Sequence, residues 1–383
     1  MLSPAPFRKR SNYLVACCTE IFQPFIQLYA STRARRAQSD PKTWRKGLLL
    51  GETHIGDVLY NTASLPALRK GLPDCEWHYL AESPAAEVLV TNPHLAGVIN
   101  YPRPRFNKPF AVSARIEEVE SILREQDFDV AICYNSGMYW RDLLLATRLG
   151  IPNRVGYVHK GFSGLVTFPI SVDYPQPYPA YFRDLVSQVT RLRPTWDLCP
   201  KVYPLSSDRR DAEALWQDLK LDAKNPVLAC FATTRQPSEV WPLESFGKTL
   251  SLLSEQHQFQ IVLCGASGDA AVLHSLKEQF KLPCHINAGR LSLRALAAFL
   301  ERCSAVLSPD SGPRHLGNAA RIPVLFIRNL RSDRVETGSY LSTDIDLAPL
   351  DVEYVPPEAQ AKYLNSIQPE FVAKQVIDTV ISR

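Results

Sequence analysis

Four short stretches of the sequence combine residue types that can do chemistry, each where an apolar run gives way to an amphipathic one. The first is Gly51-Glu52-Thr53-His54-Ile55-Gly56-Asp57-Val58-Leu59. Gly56 permits a tight turn or a close ligand. Asp57 stands where a proton-accepting carboxylate at the end of a first strand would stand. It also stands where a helix N-cap would, and Asp is among the best caps. The second is Ser308-Pro309-Asp310-Ser311-Gly312-Pro313-Arg314-His315-Leu316. Ser311 and Gly312 would present backbone N–H groups at a helix N-terminus, which suits a phosphate or pyrophosphate. Pro313 fits the first helical position, where its missing donor costs nothing. Arg314 and His315 would be within reach of a phosphate oxygen. A plain cap at Asp310 or Ser311 and a packed His315 ring are the competing readings.

The third stretch is Thr233-Thr234-Arg235-Gln236-Pro237-Ser238-Glu239-Val240-Trp241-Pro242. It offers two hydroxyls and a guanidinium whose fork geometry suits phosphate. Trp241-Pro242 also reads as a core anchor and a helix start. The fourth, Cys264-Gly265-Ala266-Ser267-Gly268-Asp269, is a glycine-bearing turn of a common kind, which makes Gly265 and Ser267 weaker candidates. Together these residues suit displacement at an activated sugar. Such a reaction needs a base for the attacking hydroxyl, and positive charge or helix dipoles for the departing nucleotide diphosphate.

The elements that must position these residues follow an alternating pattern. Short apolar runs at 47–51, 76–81, 98–101, 129–134 and 154–157 read as strands, with helices between them at 57–70, 84–91, 114–125 and 138–149. Strand and helix alternating at this spacing predicts βαβ units in a parallel sheet. Prolines and aromatics from 168 to 179 interrupt the pattern. A helix over 181–192 and an irregular stretch over 193–204 follow. Strands are then expected at 227–232, 260–264, 285–287, 305–308 and 324–327. Helices are expected at 243–255, 269–280, 292–302, 313–320 and 369–382. The expected fold is therefore α/β, with two Rossmann-like doubly wound domains facing a cleft, over residues 46–190 and 205–383. Ligand sites in such folds favour the carboxyl ends of parallel strands.

Composition supports a globular chain. Its 383 residues allow two to three domains at roughly 150 residues each. With 45% hydrophobic and 21% charged residues it sits near the average for soluble proteins. The formal charge of +4 is small for this length, and no nucleic-acid-binding signature is present. The nine cysteines form no CxxC pair, and Cys133, Cys230, Cys264 and Cys303 lie in apolar runs. They read as core residues in a reducing compartment, and no metal site is expected. Residues 1–45 are an extension of different character. The apolar stretch 13–30 is interrupted by Glu20, Gln23, Pro24 and Gln27. It is flanked by Arg8, Lys9 and Arg10 on one side and Arg33, Arg35 and Arg36 on the other. Glu20 and Pro24 argue against a membrane-spanning helix. The expectation is an amphipathic segment lying on the inner membrane surface or packing on the domain. An ordinary extension helix is the equal alternative.

Gly56-Asp57-Val58-Leu59 through Leu65-Pro66-Ala67-Leu68-Arg69, then Asn92-Pro93-His94, residues 289–293 and Asp310-Ser311-Gly312-Pro313-Arg314-His315-Leu316, resemble the signature segments of glycosyltransferase family 9, the ADP-heptose:lipopolysaccharide heptosyltransferases. The resemblance runs from about Lys46 to Ile327. It implies a GT-B fold and inverting, metal-independent transfer of heptose or a related sugar from an ADP-sugar, with no cofactor. The implied acceptor is a lipopolysaccharide-type or other surface saccharide, an anionic glycolipid for example. The implied partners include no nucleic acid. The implied location is the cytoplasm, peripheral to the inner face of the cytoplasmic membrane. It implies Asp57 as general base. Donor contacts would come from Thr233, Thr234, Arg235, Gly265, Ser267, Asp310, Ser311, Gly312 and His315. Gly56 is a candidate acceptor contact, and Arg103 and Arg105, with Lys108 in the same basic segment, are candidates for an anionic acceptor, with a solvated basic loop as the commoner reading of such residues.

Two departures from the family pattern stand out. No lysine precedes the Trp241-Pro242 pair; Ser238, Glu239 and Val240 occupy that stretch. Where the family continues with a Gly-Pro-Thr type loop after Ile327, this chain has Arg328-Asn329-Leu330-Arg331-Ser332-Asp333-Arg334. Arg235, Arg328 and Arg331 are then the expected cations for the diphosphate. The alternative is a non-catalytic GT-B binding or assembly protein that has lost donor chemistry.

Overall fold

The computed structural model describes residues 10–33, 40–51, 54–101, 114–134, 139–159, 161–234, 240–256, 259–330 and 334–381. Arg103, Arg105, Lys108, Arg235 and Arg331 lie outside the described residues. The chain forms two compact units, Met1–Leu198 and Cys199–Arg383.

In the first unit, strands β1 (Lys46–Leu50), β2 (Glu76–Ala81), β3 (Gly97–Asn100), β4 (Val130–Cys133), β5 (Asn153–Tyr157) and β6 (Phe168–Ile170) pair in the order β3-β2-β1-β4-β5-β6. Every pairing is parallel; Leu48 lies level with His78 on one side and Ala131 on the other. The helices are α1 (Arg10–Ile21), α2 (Gln23–Ser31), α3 (Ile55–Asn61), α4 (Leu65–Gly71), α5 (Ala114–Glu125), α6 (Tyr139–Arg148) and α7 (Tyr178–Thr190). The central strands β4 and β5 are buried along their whole length. That is the signature of a parallel sheet covered on both faces, where apolar runs are continuous rather than alternating.

The second unit repeats the plan. Strands β7 (Val227–Cys230), β8 (Gln260–Gly265), β9 (Cys284–Ala288), β10 (Ala305–Pro309), β11 (Val324–Ile327) and β12 (Asp344–Asp346) run in the order β12-β11-β10-β7-β8-β9, again all parallel. Its helices are α8 (Ser206–Asp218), α9 (Leu243–Gln256), α10 (Ala270–Gln279), α11 (Leu293–Leu300), α12 (Gly312–Ala319), α13 (Arg334–Thr337), α14 (Gln360–Ser366) and α15 (Pro369–Val380). Trp241, Phe246 and Leu250 anchor its core, with Val372 and Val376 of α15 in the same cluster. Trp241 is therefore the core anchor. Its ring N–H donates to the Ile367 carbonyl at 3.1 Å, and α9 starts two residues later.

Several elements differ from the sequence reading. The single helix expected over 57–70 is α3, a 3-10 turn at Thr62–Ser64 and α4. Pro66 at the start of α4 has no N–H to continue the earlier ladder, so the helix restarts there. The helix expected over 84–91 is only a 3-10 turn, Ala85–Val88. The stretch expected to be irregular after 168 supplies edge strand β6 and the start of α7. Helix α8, strand β12 and helix α14 were not expected.

Candidate functional site

A doubly wound sheet has one place where the chain order of its strands reverses, and ligands favour the carboxyl ends of the strands there. In the first unit the reversal lies between β1 and β4, and in the second between β7 and β10. The described candidates are arranged around these two points. Asp57 follows β1. Thr233 and Thr234 follow β7, Gly265 and Ser267 end or follow β8, and Asp310, Ser311 and Gly312 follow β10. Because the strands are parallel, the second-unit residues share one edge of three adjacent strands, β10-β7-β8.

Asp57 does not cap its helix. His54 is the N-cap residue, in an extended conformation and with no side-chain cap bond, and Asp57 is the third residue of α3. A carboxylate in the first turn is favoured by the helix dipole. The Asp57 side chain is about one-third exposed, and one oxygen lies 3.7 Å from Nδ1 of the more exposed His54. Gly56 is buried within the first turn of α3. One turn further along, Tyr60 stacks on Tyr178 of α7 with ring centroids 6.2 Å apart. No local pattern points to this pairing, because the two residues are brought together only by the packing of α3 on α7.

In the second unit, Ser311 is the N-cap of α12 but its side chain makes no cap bond; Pro313 has no N–H and the Arg314 N–H donates to the Ser311 carbonyl at 3.0 Å, so the Gly312 N–H is the first-turn donor that the cap leaves open. Such a group at a helix start suits an anion. Pro313 is the second helical residue rather than the first. Beneath the turn lies a charged network. Arg314 is almost fully buried and bonds the Asp310 carboxylate at 2.9 Å, Asp344 at 2.9 Å, and the carbonyls of Thr337 at 2.9 Å and Gly338 at 2.6 Å. Its guanidinium also lies 3.6 Å from the Phe326 ring centroid. Arg314 is thus committed to holding the turn, and the expectation that it reaches a phosphate oxygen is corrected. Burial holds the Asp310 carboxyl above the usual carboxylate range, against the opposing pull of Arg314 and Arg328.

His315 Nδ1 lies 2.6 Å from the Tyr340 hydroxyl, and the two rings stack. Burial, reinforced by the Arg314 charge, pushes the imidazole well below its ordinary value, so the ring is neutral at physiological pH. Tyr340 and Asp344 are the partners that sequence reasoning missed. They come from a loop and a three-residue strand whose residues carry no apolar pattern. Arg328, an expected cation for the diphosphate, is enclosed. It is 1% exposed, lies 3.5 Å from Asp346, and donates to Thr337 Oγ1 at 3.1 Å. Burial lowers its basicity despite the acidic neighbours.

Thr233 and Thr234 are half-buried. Gly265 accepts from the Gly289 N–H at 2.9 Å, which ties the ends of β8 and β9 together. Gly289 has φ +67°, and a side chain there would sit 2.7 Å from Ser267 backbone and Cβ atoms. Ser267 itself is exposed at the start of the turn. Among the described residues no cluster of His, Cys, Asp and Glu has the makings of a metal site.

The family model for glycosyltransferase family 9 (heptosyltransferase) matches residues 117–338, more than half of the 383-residue chain. The chain is 23% identical over 296 residues to lipooligosaccharide heptosyltransferase 2 of Haemophilus influenzae, covering 73% of this chain and 82% of that protein. A match to the lipopolysaccharide core heptosyltransferase OpsX of the same organism, 24% identical over 141 residues, spans 36% of this chain and 37% of that protein. The crystal structure of a family 9 glycosyl transferase from Veillonella parvula superposes with a TM-score of 0.77 at 19% identity, covering 91% of this chain and 100% of that one. The structure of E. coli heptosyltransferase WaaC with ADP superposes with a TM-score of 0.66 at 19% identity, covering 87% and 99%. Two parallel doubly wound sheets, the Asp310 turn and a family match that takes in β4–β6 of the first sheet and β7–β11 of the second put the assignment beyond the fold alone: the chain belongs to glycosyltransferase family 9 and is a glycosyltransferase of the GT-B fold.

Proposed function

We propose that the protein is an inverting, metal-independent heptosyltransferase. It moves heptose, or a related sugar, from an ADP-sugar to a lipopolysaccharide-type or other surface saccharide. The observation that carries this reading is the placement of the candidates at both reversal points: a carboxylate after β1 and phosphate-suited turns after β7 and β10, with the turn after β8 on the neighbouring strand. That the WaaC structure contains ADP supports adenosine diphosphate as the leaving group.

In this reading an acceptor hydroxyl attacks the anomeric carbon, and its proton passes to Asp57. The bond from that carbon to the diphosphate oxygen breaks on the opposite face, and ADP leaves with the bonding electrons. The Gly312 N–H at the start of α12, the hydroxyls of Thr233 and Thr234, and the Gly265–Ser267 turn receive the developing charge. Fixed dipoles of this kind act without reorganising at the moment of reaction. His315, being neutral, serves as a hydrogen-bonding ring rather than a cation, and Asp310 keeps the turn in shape through Arg314. Arg103 and Arg105 are proposed to meet an anionic acceptor, and Arg235 to meet the diphosphate. A lipid-linked acceptor places the working protein at the inner face of the cytoplasmic membrane.

The test is direct transfer. The full chain is incubated with ADP-heptose and a heptose-deficient lipopolysaccharide core in the presence of EDTA. ADP release is followed, and the product's anomeric configuration is read by NMR. The proposal expects transfer with inversion, insensitive to the chelator. Retention of configuration, loss of transfer with EDTA, or no transfer would overturn it.

A further inference from the structure

The two N-terminal helices present opposite faces of opposite character. Helical bonds from the Phe22 N–H to the Cys18 carbonyl and from the Ile26 N–H to the Phe22 carbonyl, both 3.1 Å, carry α1 into α2 with little interruption. At about 100° per residue, Leu14, Val15, Ile21, Phe22, Phe25, Leu28 and Tyr29 fall within one arc of about 140°. All are exposed, Ile21 by 73% and Phe25 by 71%. Ala16, Thr19, Glu20, Gln23, Ile26 and Ala30 occupy the opposite arc, and they are the side that meets the first unit. Ala16 packs against Gly161, where a side chain would come within 2.9 Å of it, and Gln23 and Ile26 pack on Gly164 in the same way. Thr19 Oγ1 accepts from the Phe162 N–H at 3.1 Å, Glu20 accepts from the Ser163 N–H and hydroxyl at 2.9 and 2.6 Å, and Ala30 joins the core. The apolar stripe is therefore held in a fixed orientation on the unit and is not a loose tail.

Charge identifies what covers it. Residues 1–39 carry six basic side chains, Arg8, Lys9, Arg10, Arg33, Arg35 and Arg36, and a single acidic one, Glu20. That acid is turned inward onto Ser163. An apolar stripe with basic flanks and no outward carboxylate matches an anionic lipid surface, where aliphatic and aromatic side chains enter the acyl boundary and cations meet the head groups. A second copy is disfavoured by the same charges, because pairing the stripes would bring two sets of cations together. Among the described residues no helix is long and apolar enough to cross a membrane, so the contact lies in the plane of the surface.

We infer that the outer face of α1 and α2 is a docking surface for an anionic bilayer, and that it fixes the orientation of the first unit on the membrane. The inference rests on the proposed lipid-linked acceptor only for its purpose, since lipid binding is read without turnover. The test is flotation of the full chain with vesicles of phosphatidylethanolamine and phosphatidylglycerol, and with phosphatidylcholine alone. Wild type is expected to float with the anionic vesicles, less with the neutral ones, and less as salt is raised. The double substitution Phe22→Glu and Phe25→Glu is expected to lower partitioning at least about tenfold. Its circular-dichroism melting curve and its turnover on a water-soluble acceptor fragment should stay unchanged. Absence of wild-type flotation, equal flotation of the variant, or a wild-type dimer that the variant dissociates without any vesicle binding would overturn the inference. A chain that floats but transfers no sugar would instead count against the proposed function.

Discussion

Asp57 and His315 show how far a residue's type can mislead about its task. Both sit in helix-opening turns where capping and packing compete with function, and the sequence left those roles open. The structure removes capping for Asp57, because His54 takes the cap position. It makes His315 a neutral ring bonded to Tyr340. Tyr340 lies 25 residues further along the chain, so no local pattern pointed to it. A pH prediction follows from the direction of the His315 shift. Its folded value lies below the unfolded one, so above the unfolded value of about 6.5 it contributes no pH dependence. As pH falls below that value, the unfolded chain takes up a proton that the folded chain refuses. Stability then drops by up to about 1.4 kcal/mol per pH unit until the folded group titrates. Asp310 has the opposite sign: its raised value makes folding relatively easier as pH falls toward the ordinary carboxylate range. Urea unfolding at pH 7 and pH 5 should therefore show a smaller acid loss in His315→Asn than in wild type. Equal losses would place the proton elsewhere. Arg314→Ala leaves Asp310 and Asp344 without their shared cation. Removing one member of a buried ion network typically costs about 3–5 kcal/mol, and the urea midpoint should fall accordingly. A drop under 1 kcal/mol would mean the network relaxes onto water.

At the scale of elements, what the sequence showed was what burial enforces. The inner strands are mostly buried and rich in apolar residues, and β1, β2, β4, β5, β7, β8, β10 and β11 were all legible within a few residues. Of the edge strands, β3 and β9 were legible too, and β6 and β12 were not. Phe168-Pro169-Ile170 and Asp344-Ile345-Asp346 are three residues long and partly exposed, so they pair without needing an apolar run. Helix α8 was missed because nine of its thirteen residues are charged or polar, at Ser206-Ser207-Asp208-Arg209-Arg210-Asp211, Glu213 and Gln217-Asp218. Its attachment comes from a few side chains, Leu215, Trp216 and the Asp208–Arg294 pair at 2.9 Å. The proposed donor edge depends on turns as much as on strands. Gly289→Ala would place a side chain in a left-handed conformation, costing roughly 1–2 kcal/mol, and against Ser267. If the Gly265–Ser267 turn meets the donor, this substitution weakens ADP binding in calorimetry as well as lowering the melting temperature. A lower melting temperature with unchanged ADP affinity would remove that turn from the donor site.

For the molecule as a whole, the doubled βαβ pattern was readable because each half repeats the same burial periodicity. The attachment of the N-terminal helices was not, since it depends on Gly161 and Gly164 far along the chain. Deleting residues 1–33 uncovers the surface that Ile26 and Ala30 bury. A loss of about 2 kcal/mol for that apolar area corresponds to a fall of roughly 4–8 °C in the first unit's melting temperature. An unchanged melting curve would mean that the helices rest on the unit without stabilising it. The central claim is that Asp57 takes the acceptor's proton while the second unit holds the nucleotide. Asp57→Asn keeps the size and the hydrogen-bonding capacity of the side chain but removes the base. The most direct measurement pairs ADP calorimetry with steady-state turnover on this one variant. The account predicts an ADP affinity within about twofold of wild type and turnover lower by roughly a hundred- to ten-thousand-fold, as expected for loss of a positioned base. Turnover equal to wild type would contradict it and leave Asp57 as a helix-start residue only.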